Sequence, residues 1–222
     1  MDPVRAAFSA ECARLTEVLT GLVDADLDRP TDCPPWTVRE LIAHVHTGVG
    51  RLTDMLAAPA PPRAEVDAAG YFGREKFTEQ VDADRIAGGR RDALQVDGAT
   101  LATAMDRAWR TTDAAVAAAP PDRVVRTRHG DAMLLGEFLR TRVVEVGVHG
   151  LDLAAALDRP PWLTAGAAEV IAELLTGGHP VPAALGWDRM TVIRKTTGRA
   201  ALTAPERAAI DAAGFRWLAF GR

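Results

Sequence analysis

The stretch Arg142–Asp152, RVVEVGVHGLD, constrains the fold more than any other part of the chain. It lies in an apolar region, yet it carries Arg142, Glu145, His149 and Asp152. Read as a helix with Glu145 at zero, His149 falls at about 40°, Arg142 at about 60° and Asp152 at about −20°. Phe138 falls at about 20° and Leu135 and Leu153 at about 80°, so polar and large apolar side chains share one face. A charge on a core-facing stripe is costly unless it is paired or bound to a metal. The stretch therefore predicts either an internal ion-pair network or a metal site inside a helical bundle. Glu145 and His149, one turn apart, can address one ion. Arg142 can pair with Glu145, and Asp152 can orient His149 through its other ring nitrogen.

The remainder of the chain fits such a bundle. Its 222 residues are 48% hydrophobic and only 5% aromatic, which favours Ala-rich helix packing over a β-sandwich. Helical periodicity runs over about 3–24, 37–57, 99–118, 134–157 and 164–176. Thr37 and Glu40 form a capping box at the start of the second of these, with Trp36 and Leu41 placed as a hydrophobic staple. The segment 67–97 is ambiguous: GREKFTEQ reads as a polar helix, ADRIAGGRRDALQVDG as a loop with short turns, and GGRR as a solvated turn. A long irregular segment of this kind often carries function. In the tail, DRMTVIRKTTGRAALT alternates like a strand pair around Thr-Gly. Thr203 and Glu206 open a short helix, and FRWLAFG reads as a last strand. The predicted organisation is a helical bundle over 1–180 with a short α/β appendage over 185–222.

Several function classes are disfavoured. The net charge is −4 and no basic stripe interleaved with aromatics occurs, so nucleic acid is not an expected partner. No apolar run approaches the roughly 20 residues a membrane helix needs, and the N-terminus lacks a signal peptide's apolar segment. A cytoplasmic protein, monomeric or dimeric, is expected. The two cysteines, Cys12 and Cys33, make neither a disulfide scaffold nor a Cys-type zinc site, and both are expected to be bystanders. Of the other histidines, His129 and His179 sit in loops. His44 and His46 lie within one helix, on opposite edges of its apolar stripe. Periodicity does not choose between them as a third ligand.

Two motifs are specific in combination. Trp36–His44, WTVRELIAH, is followed about a hundred residues later by Arg142-x-x-Glu145-x-x-x-His149-x-x-Asp152-Leu153. Together they resemble the mycothiol-dependent maleylpyruvate isomerase family, part of the DinB-like group of metal-binding four-helix bundles. The resemblance implies a mainly α, up-down four-helix bundle whose metal, normally zinc, is held by His44, Glu145 and His149. Arg142 and Asp152 then become supports, and His46 a neighbour of the pocket. It also implies mycothiol, a cysteine-based small thiol, as cosubstrate. The metal-bound thiolate would add to a small electrophile, giving isomerisation or an S-conjugate. The tail is shorter than the C-terminal α/β domain of such enzymes, but it is basic. Arg194, Lys195 and Arg199 are candidates for contacting an acidic ligand. Two other readings keep the bundle: a metal-dependent tailoring enzyme that uses no thiol, and a non-catalytic metal- or ligand-binding module.

Overall fold

Helix starts in this protein are written in its capping residues. In the computed structural model, which describes residues 2–73, 78–93 and 98–219, α1 (Pro3–Thr20) begins after Asp2, whose carboxylate accepts from the Val4 N–H. After the one-turn α2 (Asp24–Leu27), α3 (Val38–Ala57) starts at the expected capping box. The Glu40 carboxylate accepts from the Thr37 N–H at 2.8 Å, and the Thr37 hydroxyl accepts from the Glu40 N–H at 3.4 Å. The one-turn α4 (Ala68–Tyr71), α5 (Glu79–Ala93) and α6 (Gly98–Ala118) follow. A two-stranded antiparallel ribbon, β1 (Val124–Arg126) and β2 (Ala132–Leu134), pairs Val125 with Met133. It leads into α7 (Leu135–Ala156). Then come α8 (Ala165–Thr176), α9 (Arg189–Thr196) and α10 (Ala204–Ala213).

The bundle is made of α1, α3, α6 and α7, and each of α1 and α3 packs on both α6 and α7. The ring order is therefore α1, α6, α3, α7. α1 and α3 stand at diagonal corners, as do α6 and α7, while α3 and α6 are neighbours, whereas a simple up-down bundle sets every consecutive pair side by side. The connections are long enough for this, since α2 lies between α1 and α3 and the β-ribbon between α6 and α7. The core includes Phe8, Leu15, Leu41, Ile42, Leu52, Met105, Phe138 and Leu153, all fully buried. α8 extends the bundle by packing on α1 and α7, and α9 packs on α8.

Two expectations change. The tail is helical where strands were expected: Arg189–Thr196 is a helix, and the described part of FRWLAFG, through Ala219, contains no strand. Asp188 caps α9, accepting from the Thr191 N–H at 2.7 Å. The buried positions Val192, Ile193, Thr196 and Thr197 recur at helical spacing, which the local run of β-branched residues disguises. The second change concerns ADRIAGGRRDALQVDG, which forms most of α5 rather than a loop, so that GGRR is helical too. A side chain at Gly89 would meet the Trp36 indole at 3.2 Å, so the glycine serves close helix packing here. Half of GREKFTEQ, residues 74–77, lies outside the described residues, while Glu79 and Gln80 begin α5. Residues 94–97 at the end of the ambiguous segment also lie outside the described residues. No described helix is long and apolar enough to cross a membrane.

Candidate active site

α3 and α7 bring the two sequence motifs face to face. His44 Nε2 lies 2.6 Å from Glu145 Oε1, and His149 Nε2 lies 3.7 Å from the same oxygen. One ligand atom from each of these residues falls within 4.8 Å of the others. The helices approach closely because position 48, one turn beyond His44, is glycine. A Cβ there would meet Arg142 Nη1 at 3.0 Å and Glu145 Cγ at 3.7 Å. Trp36 packs its ring against His44 at 4.5 Å between centroids, and the His44 and His149 rings meet edge to face at 5.5 Å.

The surroundings set the charge states. Burial opposes ionisation of Glu145, but the charge and hydrogen bond of His44, with Arg142 and His149, outweigh it. The carboxyl is held well below the usual carboxylate range. Arg142, itself buried, has Nη2 3.9 Å from Glu145 Oε2. Its guanidinium also bonds the Thr141 hydroxyl at 3.2 Å and stands 4.8 Å over the Phe138 ring. On the other side of His149, Nδ1 lies 2.9 Å from Asp152 Oδ2. Arg199 donates two further bonds to the Asp152 carboxylate, Nε to Oδ1 at 2.9 Å and Nη2 to Oδ2 at 2.7 Å. Burial again opposes ionisation, and the His149 and Arg199 bonds again prevail, so Asp152 is depressed below its ordinary value. An ionised Asp152 only accepts, so His149 Nδ1 carries the hydrogen and a neutral ring turns its Nε2 lone pair toward Glu145 and His44.

This donor set fits a divalent cation. Two imidazoles and one carboxylate converge, the carboxylate is ionised and buried, and its nearest guanidinium is at the limit of an ion pair. Two cavities meet at His149 and Arg199. One, of about 710 Å³, is lined by His44, Glu145, Tyr71, Arg51 and Arg128 among others. The other, of about 850 Å³, is lined by Cys33, Trp36, Asp152, Arg194 and Lys195.

The remaining sequence candidates are distributed around these spaces. His46, on the same helix as His44, turns away toward α6 and hydrogen-bonds the Ala104 backbone, and burial lowers its pKa. Arg194, Lys195 and Arg199 all line the larger cavity, but Lys195 Nζ is engaged by Glu206 at 2.7 Å and the Ala201 carbonyl at 2.9 Å. His129, read as a loop residue, lines the smaller cavity. Cys33, read as a bystander, places Sγ 3.1 Å from Asp152 Oδ2. Nothing in its sequence position beside Pro34 signals this. α5, in the segment of unassigned role, supplies Val81, Asp84, Gly88, Gly89, Arg91 and Asp92 to the smaller cavity's wall.

Comparison with known proteins agrees with the motifs. Residues 8–154, well over half the chain, match the family model described as the mycothiol maleylpyruvate isomerase N-terminal domain. The chain belongs to this family. A crystal structure of the mycothiol-dependent maleylpyruvate isomerase is similar, with a TM-score of 0.53 and 16% identity. The match covers 78% of this chain and 68% of that one. A histidine-to-alanine mutant of that isomerase gives a TM-score of 0.52 at the same identity and coverage. At this identity the structural likeness shows a shared fold, mainly α and DinB-like. No curated protein matches the chain. In the mycothiol maleylpyruvate isomerase N-terminal domain of this chain, the matched residues include all of α3 and nearly all of α7, and so both motifs.

Proposed function

We propose that this protein is a metal-dependent enzyme that uses a small thiol, mycothiol, to isomerise or S-conjugate a small electrophile. The observation that carries the proposal is the convergence of His44, Glu145 and His149 within 4.8 Å of one another on the wall of a cavity of about 710 Å³. These three residues would hold zinc or another divalent ion. When bound, the ion supplies a Lewis-acidic open position that favours a thiolate over a thiol near neutral pH. The chain's own residues do the rest. Asp152 fixes the His149 ring and its tautomer. Arg142 keeps the second Glu145 oxygen in place. Trp36 packs on the His44 ring and α5 walls the cavity.

The cavity's charge points to an acidic electrophile. Arg51, Arg91, Arg128, Arg142 and Arg199 line it, against Asp84, Asp92 and Glu145. Burial holds the Arg51 guanidinium below its ordinary value, and the Arg128 charge pushes the same way. A ligand carboxylate placed there relieves that repulsion.

The test is metal content of tag-free protein, with His44→Ala and His149→Ala alongside, followed by turnover of activated alkenes with and without added thiol. About one zinc per chain, lost in both variants, together with thiol-dependent turnover, is the expected result. Full activity after metal removal refutes the metal role. Equal rates with and without thiol refute the thiol role.

A further inference from the structure

His149 has a structured environment on both sides of its ring. Nε2 faces Glu145 and His44, while Nδ1 faces Asp152 Oδ2 at 2.9 Å, and that oxygen is also 3.1 Å from Cys33 Sγ. The ligand atoms of Cys33, Asp152 and His149 lie within 4.8 Å of one another. We propose that Cys33 Sγ, Asp152 Oδ2 and His149 Nδ1 form a second metal position, for a thiophilic closed-shell cation of the Cd2+ or Zn2+ type. It draws on the same imidazole as the first position and so competes with it. The existence of the second position does not rest on the first; only the competition does.

The chemistry of the trio supports this. A thiolate, a carboxylate and an imidazole are a soft-to-borderline set, whereas the first position offers only nitrogen and oxygen. The nearest opposing charge is Arg199, which already bonds both Asp152 oxygens. Arg199 faces Cys33 as well. Once the thiol proton has left, thiolate and carboxylate carry two negative charges against that single positive one, so the deprotonated trio is net negative toward an incoming ion. Access is available, because Cys33, His149 and Asp152 all line the cavity of about 850 Å³. The other thiol, Cys12, is fully buried, and burial raises its pKa well above the ordinary thiol value, so it stays a thiol and does not compete.

The proton balance explains the competition. Binding a divalent cation releases the Cys33 thiol proton to solvent. The imidazole hydrogen moves from Nδ1 to Nε2, which faces Glu145 Oε1 at 3.7 Å. No electron is transferred. With that hydrogen on Nε2, His149 has no lone pair left for the first position.

The experiment is a Cd2+ titration of the full-length protein, read by thiolate-to-cadmium charge-transfer absorbance in the ultraviolet and by release of previously bound zinc. The variants are Cys33→Ser and His44→Ala, with folding checked by circular dichroism. A saturable, stoichiometric band is expected in the wild type and in His44→Ala. In folded Cys33→Ser the band is lost and cadmium affinity falls at least about tenfold. No band in the wild type, or a band that survives in Cys33→Ser, overturns the site. His44→Ala removes a ligand of the first position alone, so failure of the first position and failure of the second are told apart. Zinc release that tracks the band supports the shared imidazole, and full zinc retention beside bound cadmium overturns it.

Discussion

Replacing Asp152 by Asn tests how the site is held together. The wild-type carboxylate is only 2% exposed and takes two bonds from Arg199, one from His149 Nδ1 and one from Cys33 Sγ. Every one of these neighbours is a donor. An Asn of the same shape brings two hydrogens of its own, so at least one donor must face another donor, and the Arg199 charge loses its partner. Breaking a buried ion pair by removing one partner costs about 3–5 kcal/mol. The Arg199 side chain is 25% exposed, and water screening reduces the expected loss to about 2–3 kcal/mol. Urea unfolding in the presence of a chelator measures this term without any metal. A second term is separate: with the His149 tautomer no longer enforced, zinc affinity should fall about 10–100-fold, read by competition with a chromogenic chelator. A stability change under about 0.5 kcal/mol, or an unchanged zinc affinity in folded Asp152→Asn, refutes the reasoning on the corresponding term.

Two further outcomes are expected. Arg51→Gln should raise KM for a carboxylate-bearing electrophile about tenfold, the worth of one hydrogen bond to a charged group. It should leave kcat and the KM of an uncharged alkene little changed, as steady-state kinetics on the pair would show. Asp113 is held below its ordinary pKa, first by its hydrogen bond from Arg5, in a bidentate pair with both bonds at 2.8 Å. A depressed carboxylate stabilises the fold above its unfolded pKa of about 3.9 and loses that contribution as pH falls through the lower folded value. The wild type should therefore exceed Asp113→Asn by about 1 kcal/mol at neutral pH. The difference between the two should begin to shrink below about pH 4 and close only as pH falls through the lowered folded value.

Much of this arrangement was legible in the chain because it depends on local chemistry. The capping box at Thr37 and Glu40 fixed where α3 begins, and the shared face of Glu145 and His149 followed from helical periodicity alone. The choice between His44 and His46 did not, since both flank the apolar stripe. It depends on which helix lies on each side, α7 for His44 and α6 for His46. The tail misled because Thr191, Val192, Ile193, Thr196 and Thr197 favour strands locally, while burial against the bundle selects a helix. Gly88–Gly89 suggested a turn, yet packing against the Trp36 indole overrides the intrinsic cost of glycine in α5. The place of Cys33 beside Asp152 is a purely tertiary fact, spanning 119 residues of sequence.

The ring order of the bundle has a consequence for how the protein matures. α3, which carries His44, finishes its own contacts only when α7 has been made, and α1 packs on α7 and α8, far along the chain. Such pairings have high contact order, and their loop-closure entropy must be met before they contribute. A nascent chain that has emerged only as far as the β-ribbon owns His44 but neither Glu145 nor His149. Under the proposed metal role, capture of an ion by all three residues has to wait until α7 has been made. An ion held by His44, Glu145 and His149 would then mark a chain in which α3 and α7 have already met.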